Sequence, residues 1–402
     1  MRLSDSRAEA RFRSELTAWL DEHEPSADRA ADRPRSPGHI PGWARDWQRI
    51  LFDAGWLVPR WPAELGGRDA SAVEQLIYLE EMSSRRLPRS VNPVGLDVCA
   101  PTLADHGTGV QQDEWLRATL VGEMSWCVAL DAPAAPPAAG EGGAGGRAGG
   151  LAVAEVDGTV TISGSVPAPP GAADADRCLC AAPVTAPGAR VDGVAVVAVD
   201  LDLPGVRRPG TAGASGDGDG DDDAEAALAF DRVAVGAEGI VGVRDEGWPV
   251  LRSLRARLRS LRWIGGLLAV RRALAALAEV GRSRGLADDG LFRDTIAALQ
   301  VEADAVRALA YRALARQEAG RPNPELGMLP LVTARVEERV YLAGVEALGA
   351  DGLDLALDGP AGWPGGSWAA EWEAALAATA AAGGLGAERD RIAGRVLGLR
   401  VR

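Results

Sequence analysis

Val153-Ala-Glu-Val-Asp-Gly-Thr-Val-Thr-Ile-Ser163 is rich in β-branched residues and broken by Gly158. It reads as a short β-rich piece between turns. Val191 to Val199 has the same character, and Gly and Pro turns separate the two. On both sides of this region the apolar spacing is that of a helix. Upstream, Phe12, Leu16, Trp19 and Leu20 recur at helical spacing between Arg7 and Glu22, and helical patterning returns over Trp43 to Ala54 and Val73 to Ser84. Downstream of Gly247, Leu251, Leu254, Leu258, Leu261, Gly265 and Leu268 lie on one stripe, and Leu291 to Gln317, Leu329 to Leu348 and Ala387 to Leu397 suggest further helices. The order expected is an N-terminal helical domain over residues 1–122, a middle β-domain over 123–236 and a C-terminal four-helix bundle over 237–402, an α+β chain that is mainly α. Two low-complexity stretches, Ala132 to Gly150 and Gly213 to Asp223, interrupt the middle part and are expected to be disordered insertions.

The 402 residues carry 43 basic and 57 acidic side chains, a net charge of -14, which argues against general attraction to nucleic acid or anionic lipid. All the basic residues are arginine. Schiff-base catalysis by lysine and a phosphate-loop lysine are therefore excluded. Cys99, Cys127, Cys178 and Cys180 have neither disulfide nor metal spacing, and Cys178 and Cys180 fall on one face of a strand, so reduced structural thiols and no metal are expected. No run of about 18 apolar residues occurs and the start lacks an apolar signal core, so a cytoplasmic protein without a membrane span is expected.

Six segments in order resemble landmarks of the acyl-CoA dehydrogenase family. They are Gly55-Trp56…Trp61-Pro62…Gly66-Gly67, Pro101 to Thr108, Gly122-Glu…Trp126-Cys127, Phe230 to Val235, Gly247-Trp248 and Arg395 to Leu399. The resemblance spans nearly the whole chain. It implies the helix, β-domain, helix-bundle fold, FAD as cofactor, and an acyl-CoA thioester dehydrogenated at its α and β carbons. In that reaction a glutamate takes the α proton and the flavin N5 takes hydride. A thioester α proton is weakly acidic, so a carboxylate in a dry slot is indispensable.

At the positions matching the family's base this chain has no carboxylate. One slot, in Ala382-Gly-Gly-Leu-Gly-Ala-Glu-Arg389, falls on Ala382, with Gly384 where a threonine is usual; the other, eleven residues after Gly247, falls on Leu258, which the apolar stripe reads as core. Glu388 lies six residues beyond the first slot, an offset that points it elsewhere on a helix, and it is read as a solvated or salt-bridged surface residue. The flavin-contact loop reads Asp131-Ala-Pro-Ala-Ala-Pro-Pro-Ala138, and the triplet usually set against the flavin is Ala168-Pro-Pro170, which loses backbone donors and hydroxyls.

The resemblance assigns Arg284 to the FAD pyrophosphate across a subunit interface, and Gly349 and Gly352 to a glycine turn beside it, with Glu346 where glutamine is usual. Arg259, directly after the second base slot, matches an arginine near the active site and is the candidate CoA contact; on residue grounds it belongs with Arg252, Arg255, Arg257 and Arg262 to a solvated or interface face of a long helix. His23, His39 and His106 do not cluster, and Trp363, Trp368 and Trp372, in a Gly/Pro-rich loop, are read as packing over the bundle. The resemblance then implies the non-catalytic subunit of a heteromeric complex with a homologous acyl-CoA dehydrogenase subunit, as an α2β2 heterotetramer or a dimer. Its alternatives are an active flavoenzyme with a relocated base and a non-redox acyl-CoA-binding or scaffold protein.

Overall fold

The computed structural model describes residues 5–26, 38–85, 87–132, 150–156, 159–185, 193–210, 227–243, 246–354, 367–381 and 384–399. Helix α1, Arg7–His23, starts where the Ser6 hydroxyl accepts the Glu9 N–H and the Glu9 carboxylate accepts the Ser6 N–H. Such a reciprocal cap contributes about 1 kcal/mol. Ser71 and Glu74 start α3, Ala72–Ser84, in the same way. Leu16 and Leu20 of α1 join Trp47 and Leu51 of α2, Gly42–Asp53, and Trp56 in one core. A π-helical turn, Gly95–Cys99, leads into α4, Ala100–His106; α5, Gly109–Gln111, and α6, Arg117–Leu120, follow.

The middle region is a sandwich of two sheets. Strands β1 Trp126–Leu130, β4 Arg177–Pro183 and β5 Val194–Asp200 make one sheet in the order β1-β4-β5, with β1 parallel to β4. Strands β2 Ala152–Val156, β3 Thr159–Pro167, β7 Ala227–Ala234 and β6 Val206–Arg207 make the other in the order β2-β3-β7-β6. The stretch quoted first is the antiparallel β2-β3 pair, with Val153 opposite Ile162. Cys127, Cys178, Cys180, Ile162, Leu228 and Phe230 share the core of this region. Cys178 and Cys180 do share a face, their sulfurs 3.5 Å apart as thiols. Asn92 ties the first region to the second, its amide bonding both the N–H and the C=O of Trp126 at 2.9 Å. Most of both low-complexity stretches, 133–149 and 211–226, lies outside the described residues.

The C-terminal region holds α7 Trp248–Ser283, α8 Gly290–Glu318, α9 Glu325–Leu348, α10 Trp368–Ala381 and α11 Gly384–Arg395. Helix α10 corrects the reading of this part as loop: Trp368 opens a helix, is buried, and meets Tyr341 edge to face at 6.3 Å. Trp372 packs on the same core, and Trp363 lies outside the described residues. The stripe expected along α7 holds only for its first turns. Leu251 and Leu254 are fully buried and Leu258 and Leu261 half-buried, but Gly265 is exposed, and from Trp263 the buried face moves to Leu267, Val270, Leu274 and Leu277. The cause is a change of neighbours: the start of α7 shares a core with α1, α2 and the first sheet, and the rest shares one with α3, α8 and α9. At Gly266, a Cβ would stand 2.9 Å from Thr333 Cγ2, so α7 and α9 cross closely there. No described helix is long and apolar enough to cross a membrane.

Candidate functional site

Where the face of α7 turns away from its second core, a cavity of about 510 Å³ opens between α3, residues 87–97 and α7. Its size suits a small-molecule site. Leu79, Met82, Leu96, Leu261, Ile264 and Leu268 line its middle. The residues that broke the expected core stripe, Gly265 and Leu268, are thus its wall.

Charged groups close the cavity in fixed pairs. Asp97 is the one carboxylate among the described lining residues, and both its oxygens accept from Arg89 Nη2, at 2.5 and 2.6 Å. Burial disfavours the Arg89 charge, Asp97 and Tyr78 together outweigh that, and the net effect is to raise the guanidinium's pKa. Arg257 donates to Asp105 Oδ2 at 2.5 Å, tying α7 to α4. Arg272 donates to Ser83 Oγ at 2.6 Å, tying α7 to α3. Behind the cavity wall Glu80 of α3 is 4% exposed and accepts from Arg307 Nε at 2.6 Å, Arg307 Nη2 at 2.9 Å and Tyr311 Oη at 3.1 Å, with Arg271 at 3.0 Å. Burial alone would raise this carboxyl; Arg307 and Arg271 together bring it below its ordinary value.

The expected site residues fall in three separate places. Leu258, at the second base slot, is half-buried against the first core, and Ala382 lies outside the described residues. Arg259, half-buried, faces a second cavity of about 610 Å³ with Trp263, Pro324 and Arg391, not the one above. The arginines read as one solvated face are instead distributed around α7: Arg252 is exposed, Arg255 donates to Ala132 O at 2.6 Å, and Arg262 donates to Thr379 Oγ1 at 2.8 Å. Glu388 corrects its surface reading as well. It is 7% exposed, ion-paired to Arg391, and its Oε2 is buried with no hydrogen-bond partner among the described residues. The helix α11 turns it inward, and sequence offset from Ala382 could not show that.

Arg284, Gly349 and Gly352 do come together, at one end of the bundle. Arg284 caps the C-terminus of α7 and its Nη2 donates to Asp351 Oδ2 at 2.7 Å, inside the turn Gly349–Leu353. Gly352 is buried, and a Cβ there would lie 2.5 Å from Val345 O. The turn keeps the glycine geometry, but the guanidinium is held by a carboxylate, and the exposed Glu346 adds a second negative charge on the adjoining turn. Ala168-Pro-Pro170 leaves β3 as a turn, with Pro169 O accepting from Ala172 N at 3.0 Å. The Ala168-Pro-Pro170 turn supplies no hydroxyl to a flavin, and at the glycine turn the Arg284 guanidinium is engaged by Asp351 in a solvent-exposed pair. Sequence reasoning passed over Glu80, Arg272 and Glu337. The Arg271-Arg272 pair, set between the apolar runs Ile264 to Val270 and Ala273 to Ala278, was the available signal.

Residues 6–123 match the family model "Acyl-CoA dehydrogenase, N-terminal domain" and residues 245–397 match "Acyl-CoA dehydrogenase, C-terminal domain". The chain is 26% identical over 398 residues to Acyl-CoA dehydrogenase IpdE1 of Mycobacterium tuberculosis, covering 96% of this chain and 97% of that protein. Among solved structures, the Tcur3481-Tcur3483 steroid ACAD aligns with a TM-score of 0.77 at 21% identity, over 100% of both chains. The ChsE4-ChsE5 complex from Mycobacterium tuberculosis aligns at 0.74 and 18% identity, again over 100% of both. With the helical, sandwich and bundle regions in the order found above, the chain belongs to the acyl-CoA dehydrogenase family.

Proposed function

We propose that this chain is the non-catalytic subunit of a heteromeric acyl-CoA dehydrogenase. In this reading it assembles with a homologous subunit, as an α2β2 heterotetramer or a dimer, and the partner holds FAD and performs the oxidation. The carrying observation is chemical: the described lining of the cavity beside α7 contains no carboxylate free to take a proton, since Asp97 is clamped by Arg89, and Leu258, at the matched base slot outside that lining, is apolar. An apolar cavity of this size can hold an acyl group without transforming it. Arg284, neutralised by Asp351, supports placing the flavin elsewhere. Two of the similar structures are described by paired chain names, Tcur3481-Tcur3483 and ChsE4-ChsE5, and by analogy a pair is proposed here. Co-expression with a homologous acyl-CoA dehydrogenase subunit from the same genome tests the assembly. A single mixed complex in fixed ratio on light scattering supports it; two separately eluting homo-oligomers contradict it.

A second reading, dehydrogenation by this chain with a relocated base, draws on Glu388 alone, because its Oε2 is buried and unbonded among the described residues. Glu388→Gln in the mixed complex distinguishes the two. Unchanged turnover supports the non-catalytic role, and loss of turnover by two or more orders of magnitude supports the relocated base.

A further inference from the structure

The cavity against α7 is apolar only in its middle, and its two ends differ. Along α7 the lining runs Arg257, Leu261, Ile264, Leu268, Arg272, a single stripe at three- and four-residue steps. At the first end, Arg257 is turned onto Asp105 and the Pro101 carbonyl. At the other, Arg272 reaches Ser83 Oγ at 2.6 Å, and Ser83 is itself a lining residue. Between them, Gln75 of α3 also lines the cavity, and its Oε1 is buried with no hydrogen-bond partner among the described residues. Rotating that amide by 180° puts its NH2 at the same point, so it can donate there. The lining contains four guanidinium groups, at Arg60, Arg89, Arg257 and Arg272, against one carboxylate, Asp97. Arg89 and Arg257 are held by Asp97 and Asp105, whereas the acceptor given above for Arg272 is the neutral Ser83 hydroxyl, which a ligand carboxylate can join.

We propose that the Arg272 end of this cavity, with Ser83, receives a carboxylate carried at the far end of the acyl group of a CoA thioester. The inference rests on reading the cavity as an acyl-thioester site. The distance sets the ligand's length. From Leu261 to Arg272 the helix rises about 16 Å, at about 1.5 Å per residue. An extended chain covers about 1.2 Å per bond, so an acyl group of on the order of a dozen carbons spans the apolar middle and meets the guanidinium. Behind Arg272, Glu337 of α9 competes for the same positive charge, with Arg262 of α7 and Glu371 of α10 also facing it.

The test is calorimetric titration of the full chain with dodecanedioyl-CoA and dodecanoyl-CoA, two thioesters that differ in the terminal carboxylate. The dicarboxylyl thioester should bind about tenfold tighter or more. Arg272→Met should reduce that preference to near one while leaving dodecanoyl-CoA affinity in place, and Ser83→Ala, which perturbs packing less, should reduce it partway. Equal affinities in the wild-type chain, or a preference that survives Arg272→Met, overturn the proposal while the acyl-site reading stands. If neither thioester binds, the acyl-site reading fails and this inference fails with it.

Discussion

Glu80 is enclosed by three helices and remains ionised because Arg307, Tyr311 and Arg271 converge on it. Removing one side of such a cluster strands the rest, so Glu80→Ala should cost about 3–5 kcal/mol in denaturant unfolding. Its folded carboxyl is held below the ordinary value, so its contribution is present above the unfolded carboxylate range and is lost as pH falls through the folded value. Glu337 has the opposite sign. Burial, opposed by Arg262, reinforced by Glu371 and opposed again by Arg272, pushes its carboxyl from 4.5 up to about 7. The folded chain then keeps a proton that the unfolded chain releases, and stability falls as pH rises between those two values. Glu337→Gln should abolish this decline and raise stability at pH 8 by up to about 3 kcal/mol, read from melting curves at pH 5 and 8. Neither residue was legible in advance, because a Glu in a helical stretch reads as solvent-facing until the neighbouring helix brings its arginine.

Elements whose polar and apolar residues alternate in phase with their period were legible. Helices α1, α3, α8 and α9 and the β2-β3 pair lie within one to four residues of the sequence reading at each end. Helix α10 was not, because eight of the fourteen residues of Trp368–Ala381 are alanine, which gives too little contrast to set a period. Its position is fixed by Gly344 of α9, where a Cβ would stand 2.0 Å from the Trp368 ring. Gly344→Leu should therefore displace α10, costing about 1–3 kcal/mol or more and exposing Trp368, seen as a red shift in its fluorescence. The long α7 shows the other limit. One continuous apolar stripe was expected, but a helix serving two cores and a cavity distributes its apolar residues among all three. A face lining a cavity and a face lining a core have the same sequence pattern, so the cavity could not be read from spacing.

At the scale of the molecule, the chain retains the family's architecture, and the non-catalytic reading proposed above holds that the places that would carry its chemistry have been rebuilt. Leu258 stands at the base slot, Asp351 neutralises Arg284, prolines replace the triplet expected to meet a flavin, and Arg89 holds Asp97. The family was legible because it is a question of which residues stand at matched positions along the chain. The cavity, the inward Glu388 and the pairing of Arg284 depend on side chains meeting across helices far apart in sequence. The most direct test of the non-catalytic reading is the visible spectrum of the full chain purified alone and purified with a homologous subunit from the same genome, before and after adding acyl-CoA. The chain alone should be colourless even after incubation with FAD, and the mixed complex yellow and bleached by substrate. A chain that by itself binds flavin and bleaches with acyl-CoA would contradict the account.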